Sequence, residues 1–215
     1  MRKLYSYFRS SAAYRVRIAL AFKGLDYQTV PVHLLRDGGE QHAPAYRDKN
    51  PAGLVPALEE AGQALTQSLA IIEYLEETYP LPALLPSDAL DRARVRALAQ
   101  TIACDIHPLN NLRVLAYLRD ELALDQSQRD AWYRHWTEQG LAVVERLLAD
   151  DARTGLCCHG DTPTMADCCL APQMFNAQRF HCRLDHLPTV RRIYAHCTTL
   201  PAFQAAAPEN QPDAE

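Results

Sequence analysis

Pro56 is the residue that most limits the fold of this chain, because it stands where a β-rich run begins within residues 50–58. Proline lacks a backbone N–H and is tolerated only at the edge or the start of a strand. It also pushes the preceding residue, Val55, into an extended conformation. An extended Val55 backbone with free N–H and C=O groups can pair with an extended peptide as an added strand does.

Gln67 and Ser68 precede an amphipathic run, and a helix is predicted to start there with Ser68 as its N-cap. The free N–H groups and the positive dipole end of such a helix bind a carboxylate readily. Together with Val55, this stretch indicates a hook for a peptide backbone beside a carboxylate site. The alternative is an ordinary turn-to-helix crossover with a capping serine.

The composition is that of a soluble globular protein, with 48% hydrophobic and 22% charged residues among 215. A net charge of −4 and a pI of about 6.1 indicate no basic surface for nucleic acid. No apolar run approaches the ~18–20 residues of a membrane span, and the N-terminus lacks the apolar core of a signal peptide. We therefore expect a cytoplasmic protein that binds neither nucleic acid nor membrane.

The seven cysteines are odd in number and contain no C-x-x-C spacing. Adjacent pairs such as Cys157 and Cys158 are poor frameworks for disulfides, and no Cys/His spacing fits a four-ligand metal site. We expect reduced, mostly buried thiols that pack as small apolar residues, and no bound metal.

The first part of the chain alternates β and helical patterns, which predicts a βαβ unit with two parallel strands and a right-handed crossover, followed by a β-hairpin. Gly24 is the predicted C′ residue of the first helix. The predicted elements are a strand over residues 3–7, a helix over 15–23, a strand over 26–31, strands over 55–60 and 63–66, and a helix over 68–79.

Prolines between residues 79 and 87 mark a linker, after which β patterns stop. The helices predicted beyond it cover residues 88–105, 108–118, 125–150, 165–176 and 189–199. Thr164 and Asp167 form a capping box, and the polar residues 208–215 are expected to be frayed. We therefore predict two domains, one α/β over residues 1–81 and one all-α over residues 88–215.

Arg9, Ser10 and Ser11 lie at the carboxyl end of the first predicted strand, where ligands tend to bind in α/β sheets. Ser10 or Ser11 either caps the following helix or donates its hydroxyl to an anion. That anion can be a thiolate, whose pKa falls near a helix N-terminus and a cation such as Arg15.

A polar run in the second half surrounds Pro108, which is predicted to kink or restart the helix. His107, Asn111 and Arg113 are candidates to face a cleft, or else they form a solvated face with one packed histidine. Arg179 follows an apolar helix, and lone arginines are usually surface residues with buried stems.

Residues 10–20 resemble the signature of zeta-class glutathione transferases. Residues 50–56 with 67–75 resemble the glutathione site of that class, and residues 160–167 its helix-capping motif. The resemblance covers nearly the whole chain. It implies the glutathione transferase fold, with an α/β thioredoxin-like N-terminal domain and an all-α C-terminal domain, and a homodimer.

The resemblance also implies a set of site residues. Those implied to bind glutathione are Gln41, Val55, a cis Pro56, Gln67, Ser68, His107 and Asn111. Those implied to serve the thiolate are Ser10 or Ser11, with Arg15 beside them. Those implied to bind the carboxylates of a small diketo diacid are Arg9, Arg113 and Arg179.

Ala12 stands where many members of the class have cysteine, so the attacking sulfur is expected to be that of glutathione. The implied activity is glutathione-dependent cis–trans isomerisation of maleylacetoacetate to fumarylacetoacetate in aromatic amino-acid catabolism. Alternatives are isomerisation of maleylpyruvate in the gentisate pathway, glutathione conjugation or dehalogenation of small α-haloacids, and a non-enzymatic glutathione-binding protein.

Overall fold

The computed structural model describes all 215 residues and divides them into two compact units. The sheet unit consists of Met1–Leu84 together with Thr198–Glu215, and the helical unit of Leu85–Cys197. This grouping differs from the prediction at the C-terminus, where the sequence assigns residues 198–215 to the helical domain. The physical reason is that the last residues hydrogen-bond within the sheet unit, as Asp213 does with the Phe8 N–H.

The sheet unit contains a four-stranded sheet with the order β2-β1-β3-β4. Its strands are β1 (Arg2–Ser6), β2 (Tyr27–Pro31), β3 (Ala57–Glu60) and β4 (Gln63–Thr66). β1 pairs with β2 in parallel and with β3 antiparallel, and β3 pairs with β4 antiparallel. The predicted βαβ unit and hairpin are therefore confirmed.

The helices of the sheet unit are α1 (Ser11–Phe22), α2 (Pro44–Arg47), α3 (Ser68–Thr78) and α9 (Pro201–Ala206). The first helix ends as predicted, with Gly24 in the left-handed region at φ 64°. The last helix was not predicted. It packs against α1 through Tyr14, whose hydroxyl lies 3.4 Å from the Phe203 carbonyl oxygen.

The helical unit contains α4 (Ala89–Gln100), α5 (Leu112–Asp120), α6 (Gln126–Ala149), α7 (Met165–Arg179) and α8 (Pro188–Cys197). The predicted break at Pro108 is confirmed: a π-helical stretch over Thr101–Ile106 and a 3-10 turn over His107–Asn110 separate α4 from α5. No helix of the chain combines the length and apolar character that a bilayer crossing requires.

The C-terminal segment is packed, so the prediction that residues 208–215 are frayed is wrong. Pro208 and Gln211 are buried, and the Gln211 side-chain amide donates to the carbonyl oxygens of Ala205 and Ala207 at 3.0 and 2.9 Å. Polar side chains here satisfy the backbone of α9 instead of hydrating, and this ties the segment to the sheet unit.

The cysteines are free thiols, and all but Cys104 are buried, which confirms the expected packing role. The sulfurs of Cys157 and Cys197 lie within 4.8 Å of each other and of an Asp167 carboxylate oxygen. That carboxylate already accepts hydrogen bonds from two backbone N–H groups, so its contacts are those of a helix cap.

Iodoacetamide is expected to alkylate Cys104 quickly in the native protein and the other thiols slowly. Burial raises the pKa of the Cys182 thiol to about 11, so near neutral pH well under about one hundredth of it is the reactive thiolate. Peptide mapping by mass spectrometry at several times checks this. Cys104→Ser should remove the fast phase, and a second fast site in that variant would contradict the expectation.

Candidate active site

Three loops of the sheet unit meet at one edge of the sheet. Because β3 runs antiparallel to both neighbours, Ala57 at its start pairs with Tyr5 near the end of β1 and with Thr66 at the end of β4. The turn after β1, the segment before β3 and the start of α3 therefore converge at this edge. Candidate site residues predicted from the sequence lie on all three.

The segment before β3 presents an unpaired backbone at Val55. The Val55–Pro56 bond is cis, as the resemblance implied, and no backbone hydrogen bond involves the Val55 N–H or C=O. Asn50 holds the preceding turn, since its side chain donates to the Leu54 carbonyl at 2.7 Å and accepts from the Ala52 N–H at 3.1 Å.

An apolar cluster fixes this segment against the end of β1. The Val55 side chain is buried, because it packs in a cluster with Tyr7, Phe8, Val32 and Tyr46. The cluster joins the turn after β1 to the segment before β3 and so sets the distance between two parts of the candidate site.

Ser10 is the N-cap of α1, and its side-chain oxygen accepts a hydrogen bond from the Ala13 N–H at 3.2 Å. A hydroxyl that accepts in this way still has its own hydrogen to donate. Ser11 is the first residue of the helix and is buried. Arg9, at the tip of the turn, is exposed with its guanidinium 4.8 Å from the Phe8 ring centre.

The start of α3 differs from the prediction in one respect. Gln67 is the N-cap residue, with φ at 67°, and Ser68 is the first helical residue. The left-handed conformation of Gln67 turns the chain into the helix one position earlier than the capping preference of serine indicates. The Ser68 hydroxyl instead accepts from the buried Arg15 guanidinium at 3.2 Å, which links α1 to α3.

Gln41 is buried with an open acceptor. Its amide nitrogen lies 3.3 Å from the Leu34 carbonyl oxygen, while its side-chain oxygen has no hydrogen-bond partner. A buried polar atom without a partner is costly unless a ligand satisfies it. This geometry is consistent with a binding role for Gln41.

The candidates of the helical unit lie around the break between α4 and α5. His107 and Asn111 are half-buried, and Asn111 caps α5 by accepting from the Arg113 N–H at 3.1 Å. Arg113 and Arg179 are exposed, and the Arg179 guanidinium stacks 4.9 Å from the Phe180 ring centre. These observations agree with a solvent-facing surface, and the binding roles of these residues stay predictions.

Two residues that sequence reasoning did not single out support the site. Asn50 shapes the turn before Val55. Its position at the start of residues 50–56, which resemble the glutathione site of the class, was a signal for it. Asp213 accepts a hydrogen bond from the Phe8 N–H at 3.0 Å, and nothing in the local sequence indicates this contact.

The sheet, the cis proline and the helical unit define the glutathione transferase fold. In agreement, residues 4–83 match the family model described as "Glutathione S-transferase, N-terminal domain".

Three relatives extend the likeness to the whole chain. The maleylacetoacetate isomerase of Pseudomonas aeruginosa is 54% identical over 212 residues, which is 98% of each chain. A holo structure of maleyl pyruvate isomerase, described as a bacterial zeta-class glutathione S-transferase, has a TM-score of 0.96 and 48% identity, covering 99% of this chain and 100% of the other.

The third relative is a maleylacetoacetate isomerase from Anaeromyxobacter dehalogenans, solved with GSH bound in its active site. It has a TM-score of 0.88 and 46% identity, and the match covers 100% of this chain and 98% of the other. The chain belongs to the zeta-class glutathione transferase family, which includes maleylacetoacetate and maleylpyruvate isomerases.

Proposed function

We propose that this protein is a glutathione-dependent cis–trans isomerase that converts maleylacetoacetate to fumarylacetoacetate. The observation that carries the proposal is the likeness to a maleylacetoacetate isomerase, which extends over 98% of both chains at 54% identity. It therefore includes the helical unit, where the family model for the N-terminal domain does not reach.

The free groups at the sheet edge suit a tripeptide thiol. The unpaired backbone of Val55 suits the peptide backbone of glutathione, and the N–H groups at the start of α3 suit its γ-glutamyl carboxylate. The side-chain oxygen of Gln41, which has no hydrogen-bond partner, suits a donor at the glycyl end of glutathione. The Ser10 hydroxyl hydrogen suits the thiolate.

Glutathione, when bound, supplies a thiolate sulfur that adds to the cis double bond of the substrate and leaves again after rotation. The chain's own residues bind and orient. Arg15 brings a buried positive charge to the Ser68 hydroxyl, and Arg9 offers an exposed guanidinium that can hold a carboxylate with two hydrogen bonds. Arg113 and Arg179 are proposed for the same role.

The deciding experiment gives purified protein maleylacetoacetate with and without glutathione. We expect isomerisation only with glutathione. S-methylglutathione, which lacks the thiol, should bind in competition without supporting turnover. Equal rates with and without glutathione would refute the proposal.

Maleylpyruvate is the second candidate substrate, because the holo structure with a TM-score of 0.96 is a maleyl pyruvate isomerase. The two diacids differ in length but present the same cis double bond. Comparing kcat/KM for both at saturating glutathione decides between them, and a higher value for maleylpyruvate would replace the first proposal with this one.

Gly39→Ala is expected to raise KM for glutathione about threefold to tenfold, the effect of one weakened hydrogen bond. Gly39 has φ at 103°, and an added Cβ would meet the side-chain amide of Gln41 and displace it. Gly62→Ala is the matched control, since Gly62 also has a positive φ, at 79°, but an added Cβ there has no neighbour within 4 Å. Similar KM values in both variants would argue against a role for Gln41.

Arg9→Ala is expected to raise KM for the diacid about tenfold or more, because the charged hydrogen bonds between the guanidinium and a carboxylate of the diacid are lost. KM for glutathione should change little, because Arg9 is proposed to contact only the diacid. Steady-state kinetics with each substrate varied in turn measure both constants. Arg36→Ala, which removes another exposed arginine of the sheet unit, is the control. Equal increases in both KM values would contradict a substrate role for Arg9.

We further propose that the protein works as a homodimer in the cytoplasm, on the strength of the residue-level resemblance to the zeta class. Sedimentation equilibrium should give twice the 24.2 kDa mass of the chain. A single-chain mass at all accessible concentrations would contradict the homodimer.

A further inference from the structure

The C-terminal segment closes onto the turn that carries Arg9 and Ser10. A carboxylate oxygen of Asp213 accepts a hydrogen bond from the Phe8 N–H at 3.0 Å, a contact between residues 205 positions apart. Phe8 is two residues before Ser10, within the turn that the Ser10 N–H closes on the Tyr7 carbonyl at 2.9 Å. A change at Asp213 therefore acts directly on this turn.

The segment itself is firmly held, so Asp213 is a fixed acceptor. The buried Gln211 donates to two carbonyl oxygens at the end of α9. On the other side, Glu215 forms only an exposed pair with Arg36 at 2.7 Å, which contributes little to holding the segment. Asp213 thus lies two residues beyond a buried, hydrogen-bonded anchor of the same segment.

Arg17 holds the same turn from the other side. This buried guanidinium donates to the Phe8 carbonyl at 2.9 Å and to the Ala206 carbonyl at 2.9 Å. Burial lowers the pKa of Arg17 to about 10, and the Asp213 charge acts in the opposite direction. Both backbone groups of Phe8 are therefore bonded, the carbonyl by Arg17 and the N–H by Asp213.

We propose that Asp213 is a positioning residue that holds the turn after β1, and with it the Ser10 hydroxyl and the Arg9 guanidinium, in the arrangement that isomerisation needs. This inference rests on the proposed function, because it assigns those two side chains to the thiolate and the substrate. Without Asp213 the Phe8 N–H has no acceptor, and the turn samples other conformations. Small misplacements of a catalytic group reduce rates strongly.

The test compares Asp213→Ala with Asp213→Asn and with Glu215→Ala. Asp213→Ala should lower kcat about tenfold to a hundredfold and change KM for glutathione less than about threefold. Asp213→Asn, which keeps an oxygen acceptor, should restore most of kcat. Glu215→Ala removes the other carboxylate of the segment and should match the wild type.

A second readout does not depend on turnover. Hydrogen exchange of the Phe8 and Ser10 amides, measured by NMR in the absence of glutathione, should speed up in Asp213→Ala and stay unchanged in Glu215→Ala. Unchanged exchange in Asp213→Ala would overturn the inference, and so would equal losses of kcat in all three variants. Failure of the wild type to isomerise the substrate would refute the proposed function. Unchanged amide exchange in Asp213→Ala would refute the positioning role of Asp213 independently of that result.

Discussion

Asp167→Ala is expected to lower the free energy of unfolding by about 3–5 kcal/mol. Asp167 is fully buried, and its two carboxylate oxygens accept from the Cys158 N–H, the Thr164 N–H and the Thr164 hydroxyl, each at 2.8 Å. Alanine would leave two buried backbone donors unsatisfied, at a cost of about 1–3 kcal/mol each. The capping box recognised in the sequence therefore also anchors the loop that precedes α7.

Asp125→Ala is the matched control for that variant. Asp125 belongs to the capping box of α6 and accepts from the Gln128 N–H at 2.9 Å, but it is exposed at the helix start. Water replaces the lost acceptor there, so the expected cost is about 1 kcal/mol. Urea unfolding of both variants measures the difference, with Asp167→Asn as a milder change if alanine prevents folding. Equal costs at the two caps would contradict the importance of burial.

Ser10→Ala is expected to lower kcat about a hundredfold to a thousandfold, the usual effect of removing one donor to a reacting anion. The Ser10 oxygen accepts from the Ala13 N–H, and its hydroxyl hydrogen is the donor that we propose for the glutathione thiolate. Because a donor stabilises the anion, its loss should raise the pKa of the bound thiol. The pH at which kcat/KM for the diacid rises, measured at saturating glutathione, should then be higher than in the wild type.

Ser11→Ala and Ser10→Thr are the controls for the thiolate donor. Ser11 is buried as the first residue of α1, so its replacement should reduce kcat less than about tenfold. Ser10→Thr keeps the hydroxyl and should retain most activity. Ser10→Ala should also lose about 1 kcal/mol of stability with the cap, which unfolding experiments separate from the kinetic effect. Loss of activity in Ser11→Ala alone would assign the thiolate to the other serine.

Local sequence patterns predicted most of the secondary structure. The alternation of strands and helices, the hairpin, the break at Pro108 and the end of α1 at Gly24 follow from periodicity and from glycine and proline chemistry within a few residues. Helix starts were less predictable. Ser68 has the composition of an N-cap, but the φ of Gln67 moved the cap by one residue, and that conformation depends on how β4 meets α3.

The candidate site also has a part that the sequence predicts and a part that it does not. Val55, Pro56 and Ser10 lie in short segments whose backbone conformation can be predicted from neighbouring residues. The contacts that join those segments are not, because they connect residues far apart. Arg15 meets Ser68 across 53 positions, and Arg17 meets Ala206 across 189 positions. No spacing rule reaches such distances.

By itself, the sequence determined which segments form strands and helices and where the backbone is left without partners, since both depend on neighbouring residues. Only the tertiary structure decided that the C-terminal segment belongs with the sheet, that Arg15 bonds Ser68, and that Asp213 holds Phe8. These outcomes depend on packing, which brings distant groups into hydrogen-bonding range only after the chain has folded.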